Sequence, residues 1–89
     1  MTFPEILISL RQRLVQAWQE NDKPVAEDIF TTLSMLREIS YESNNEALTG
    51  IITDLLDSAR DIVMESRMKS NIPSVDAIQS VFPPNTKAS

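Results

Sequence analysis

Four carboxylates recur along one stretch of the chain: Asp54, Asp57, Asp61 and Glu65. Spacings of three and four residues put them on one strip if the stretch is helical. Such a strip can offer oxygen ligands to a hard cation or an anionic face to a basic partner. No calcium-loop pattern accompanies it, so a solvated face or a basic partner is the simpler reading. The rest of the chemistry is restricted by what is missing. The 89 residues contain no histidine and no cysteine. That removes the commonest general base, the thiol nucleophile and the zinc sites built on those ligands. Serine and threonine are plentiful, but the histidine-dependent triad cannot form, and most hydroxyls fall at helix caps or on polar faces. A single glycine, Gly50, leaves no glycine-rich phosphate loop. The sequence therefore predicts a chain with no enzymatic activity, no cofactor and no metal.

Charge narrows the partners. The formal net charge is −5, and the eight basic residues are scattered rather than gathered into a stripe. Direct binding to nucleic acid or to an anionic membrane surface is not expected from that balance. The segment from Met1 to Arg11 lacks a basic leader, and Ser9 and Arg11 break its apolar run, so it does not read as a signal peptide. No stretch approaches the ~18 apolar residues of a membrane-spanning helix. The cytoplasm is the expected location.

The elements that would position the acidic strip are helices. An all-β domain needs many tight turns with glycine at positive φ, and one glycine does not supply them. Thr2-Phe3-Pro4-Glu5 reads as a capping box opening a first helix from Phe3 to Glu20. Phe3, Leu7, Leu10, Leu14, Ala17 and Trp18 share one face of it, and Ile8 and Val15 widen that face. After Asn21-Asp22-Lys23, Pro24 starts a second helix, expected to end between Ser40 and Glu42. Its core face is expected to hold Val25 or Ala26, then Ile29, Phe30, Leu33, Leu36 and Ile39, with Met35 off the stripe. Ser43-Asn44-Asn45-Glu46 reads as a second capping box, opening a third helix from Asn44 to Ser70. Leu48, Ile52, Leu55, Ala59 and Ile62 form its core line, flanked by Ile51, Leu56 and Val63. Ser58 is expected on the wet face with the acidic strip. Gly50 inside this helix marks either a frayed first turn or the close approach of another backbone. Pro73 ends the segment, and Ser74 caps a short fourth helix carrying Val75, Ile78, Val81 and Phe82.

The expected fold is all-α: a small antiparallel bundle of three main amphipathic helices plus a short C-terminal helix. One domain covers residues 1–82, and residues 83–89 form a disordered tail. The third helix would be ~38 Å long against ~27 Å for the first, at 1.5 Å per residue. Its overhang would expose Val63, Met64 and Met68. The expected function is a non-catalytic protein-interaction module, an adaptor, chaperone or regulatory subunit, self-associating as a homodimer or sitting in a larger assembly. The surface expected to carry this is the apolar excess: Ile8, Val15, Trp18, Leu56, Val63, Met64, Met68, Val81 and Phe82. The alternative is an acidic inhibitor or immunity-type protein blocking a basic partner through Asp54, Asp57, Asp61 and Glu65.

Overall fold

The computed structural model describes residues 2–64 and 72–82. They form α1 (Phe3–Glu20), α2 (Lys23–Glu42), α3 (Glu46–Val63) and α4 (Val75–Ser80), with no strand among the described residues. Helices α1, α2 and α3 pack against one another, as the all-α bundle reading expects. Glu65, Arg67, Met68, Lys69 and the expected tail at 83–89 lie outside the described residues.

Local chemistry sets the helix ends. The Thr2 hydroxyl accepts the Glu5 amide at 3.4 Å, and the Thr2 amide donates to the Glu5 carboxylate at 2.8 Å, closing the expected capping box. Asn21 ends α1 in the left-handed region, φ 55°, a conformation asparagine tolerates well. Asp22 then caps α2 by accepting the Val25 amide at 3.3 Å.

The turn between α2 and α3 departs from expectation. Ser43 does not cap α3; it terminates α2, and its hydroxyl donates to the Ser40 carbonyl at 2.7 Å. Asn44 takes φ 59°, and Asn45 is the true cap, accepting the Leu48 amide at 3.1 Å. Three consecutive capping-type residues made the boundary ambiguous, and the left-handed turn at Asn44 resolves it.

Helix α3 closes at Val63, where Met64 has ψ 0° and its amide bonds the Arg60 carbonyl at 2.8 Å. Both α1 and α3 have 18 residues, so the described part of α3 does not overhang α1. Residues 65–70, over which the spacing predicts the helix to continue, lie outside the described residues.

The core combines Leu7 and Leu14 from α1, Ile29 and Leu33 from α2, Ile52, Leu55 and Ile62 from α3, and Ile78 from α4, all fully buried. Burial of each such side chain contributes ~1.5–3 kcal/mol relative to exposure. Helix α4 runs beside α1 and α3. The Arg11 guanidinium donates to the Pro73 carbonyl at 2.6 Å just before α4 starts. Where α4 ends, the Asn45 side-chain amide donates to the Val81 carbonyl at 3.1 Å, and the Phe82 ring lies 5.9 Å from that of Phe3. Helix α4 thus runs from the middle of α1 back to the starting ends of α1 and α3.

Three expectations about burial are corrected, those for Ile39, Phe30 and Ser58. Ile39 is 54% exposed and Phe30 36%, so neither belongs to the core. Ser40 and Ser58 are buried instead. Along α2 the buried line is Ala26, Ile29, Leu33 and Ser40, which places Ile39 one step off it. Gly50 is exposed, and a Cβ built there would meet nothing within 4 Å, so among the described residues no other backbone approaches it.

Candidate functional site

The residues expected to form a shared apolar surface have different fates. Leu56 is 3% exposed and belongs to the chain's own core, so it has no surface to offer a partner. Ile8, Trp18, Val63, Val81 and Phe82 are half-buried and pack against the core. Helix α4 packs against α1 and α3 on the side of Phe3 and Arg11, which brings Phe82 against Phe3. Val15 is half-buried, and Met64 is 67% exposed. Met68 lies outside the described residues.

What remains at the surface gathers in part at the upper end of α2 and α3. Glu27, Phe30 and Thr31 of α2 and Arg60 and Val63 of α3 line a groove of about 220 Å³. Met64, which ends α3, is the next residue after Val63 and is 67% exposed. The groove exists because Phe30 lies one step beyond the buried Ile29, so its ring projects to the edge of the α2–α3 contact. Sequence spacing gave the strip on α3 but could not give this groove, whose walls belong to two helices.

At 3.6 residues per turn the acidic strip lies on the side of Arg60 away from Val63, outside the groove lining. Asp57 lies 3.7 Å from Arg60, and both side chains are largely exposed. Asp54 is exposed and Asp61 half-buried on the same side of α3, while Glu65 lies outside the described residues. No group of three or more acidic residues suited to holding a metal occurs among the described residues. Among them, no helix is long and apolar enough to cross a membrane.

A second depression of about 210 Å³ lies at the α2–α3 turn, lined by Ser40, Tyr41, Asn44, Asn45, Glu46 and Thr49. Several of its polar groups are already engaged within the chain. The Ser40 and Thr49 hydroxyls bond each other at 2.8 Å, and Asn45 uses its oxygen on Leu48 and its nitrogen on Val81. The α2–α3 groove offers the apolar side chains Phe30 and Val63, whereas the depression at the turn is lined by polar side chains around Tyr41. Met35 and Ile39 also face solvent, on the opposite flank of α2.

Comparison of the chain with protein-family models, with curated proteins and with solved structures finds no match.

Proposed function

We propose that this chain is a non-catalytic interaction module, an adaptor, chaperone or regulatory subunit, that binds a protein partner across the α2–α3 groove. The supporting observation is the 36% exposed Phe30 ring in the groove lining beside the half-buried Val63, with Met64, next in the chain, 67% exposed. Clustered exposed apolar residues rimmed by polar ones mark interaction surfaces, whereas scattered single ones do not. The absence of histidine and cysteine leaves the chain without the side chains that most often carry acid–base and thiol chemistry.

Affinity capture with the tagged chain from its native cell tests this reading. A partner retained by the wild-type chain should be lost by Phe30→Asp and by Met64→Asp. Retention of the same partner by both folded variants would exclude the groove as the binding surface.

A further inference from the structure

The outer face of α2 has no neighbour among the described helices. Phe30 on one flank of α2 meets α3, and Val25 on the other meets α1. Between those flanks, at 3.6 residues per turn, Asp28, Met35, Glu38, Ile39 and Glu42 fall within an arc of about 100°. All five are exposed, Met35 by 56% and Ile39 by 54%. The two cations of α2, Lys23 and Arg37, fall outside this arc, on the flank of Phe30. Neighbouring helices bring Arg60 beside Glu27 and Arg13 beside Val25, both in the first half of α2. The charges that α2 sets around Met35 and Ile39 are therefore all carboxylates. Asp28 stands seven positions before Met35 and Glu42 seven after it, about 21 Å apart along the axis, with Glu38 between them.

This arrangement selects its occupant. A second copy pairing antiparallel on Met35 would set Asp28 of one chain against Glu42 of the other, and parallel pairing would set each carboxylate against itself; both repel. Nucleic acid and anionic membrane are repelled by the same charges. An added strand needs an open sheet edge, and no strand occurs among the described residues. We propose that the outer face of α2 docks a cationic amphipathic helix of another protein. Its apolar residues straddle Met35 and Ile39, which form one i, i+4 ridge, and its lysines or arginines face Glu38 and Glu42 on one side and Asp28 at the far end. This face is separate from the α2–α3 groove, so the inference goes beyond the reading of that groove.

The test uses the full chain and a labelled synthetic helix of about 18 residues, long enough at ~27 Å to span Asp28 to Glu42, with leucines along one face and lysine elsewhere, read by fluorescence anisotropy. Two controls accompany it: the same composition with the leucines spread around the helix, and glutamate in place of lysine. The amphipathic lysine peptide should bind, and binding should weaken as salt rises. Met35→Asp, and separately the double substitution Glu38→Lys, Glu42→Lys, should each weaken it by about tenfold or more, whereas Phe30→Asp should leave it unchanged. All but Phe30 are exposed by more than half or lie on the solvent face, and circular dichroism confirms that each variant is folded. Failure of the lysine peptide to bind, equal binding of the leucine-scrambled peptide, or no effect of the double substitution overturns the proposal. So does sedimentation showing a dimer that Met35→Asp abolishes, which would assign the face to a second copy. Binding lost on Phe30→Asp but kept on Met35→Asp would place the peptide in the groove and overturn the proposal for this face, while leaving the groove's role intact.

Discussion

The hydroxyl of Ser40, near the end of α2, lies 2.8 Å from that of Thr49 in the first turns of α3. Ser40 also contacts the Arg37 carbonyl at 2.7 Å, and Thr49 the Asn45 carbonyl at 3.1 Å. Two hydroxyl hydrogens therefore serve three contacts, so one hydroxyl donates to the other while the second donates to backbone. The pair joins the two helices across the turn without a buried hydroxyl left over.

The two buried serines should respond in opposite directions to alanine. Ser40→Ala removes a satisfied hydrogen bond and should lower stability by about 1 kcal/mol. Ser40→Leu, the substitution that a hydrophobic-core reading would favour, should cost about 1–3 kcal/mol, because the site is fully enclosed. Ser58 is 1% exposed, and its hydroxyl has no hydrogen-bond partner among the described residues. Ser58→Ala removes that buried polar atom and improves helix propensity, so stability should rise by up to about 1 kcal/mol. Urea unfolding midpoints measure all three. A loss on Ser58→Ala would show that the hydroxyl has a partner in solution.

The two helices differ in how much of this their sequences display. In α1 the apolar residues hold to one face and the cap is unambiguous, so its boundaries and buried line could be read directly. In α2, Val25, Ala26, Ile29, Phe30, Leu33, Met35, Leu36 and Ile39 cover much of the circumference. Residue type alone then cannot say which of them faces inward. The buried end of that line is Ser40, which only its partner nine residues later reveals. The acidic spacing on α3 was legible for the same reason as the core of α1: it is a property of one helix. Which flank of α3 meets Phe30 is a relation between helices that neither spacing contains. The covering of Ile8, Val81 and Phe82 likewise depends on where α4 docks.

Leu56 and Met64 separate core from surface in one experiment. Leu56→Ala should cost about 2–5 kcal/mol, as truncation of a buried leucine leaves a cavity. Met64→Ala should change stability by no more than about 0.5 kcal/mol, as expected of an exposed position. Thermal or urea unfolding of the isolated chain distinguishes them. Comparable losses at both positions would mean that Met64 is covered in solution.

Gly50 offers a stabilising substitution. It sits in the interior of α3, exposed, without positive φ, and with open space where a Cβ would stand. Alanine there removes the backbone entropy penalty of glycine at no steric cost. Gly50→Ala should raise stability by about 0.8–1 kcal/mol, read as an increased urea midpoint with an unchanged slope. A decrease would require a neighbour that approaches this face of α3 in solution.

The start of α1 should carry a pH-dependent contribution. The Thr2 backbone amide, and then its hydroxyl, donate to the Glu5 carboxylate and hold its pKa below the ordinary value of 4.5. A carboxylate depressed in the folded state stabilises the fold above its unfolded pKa. That contribution is lost as pH falls through the lower folded value. The window therefore lies below pH 4.5, and the capping box should be intact at neutral pH. Titration of Glu5 followed by carbon NMR should give a midpoint under 4.5. Glu5→Gln keeps an acceptor for the Thr2 amide but carries no charge, so it should flatten the acid limb of the stability profile. A Glu5 midpoint at or above 4.5 would show that the box does not hold the carboxylate in its ionised form.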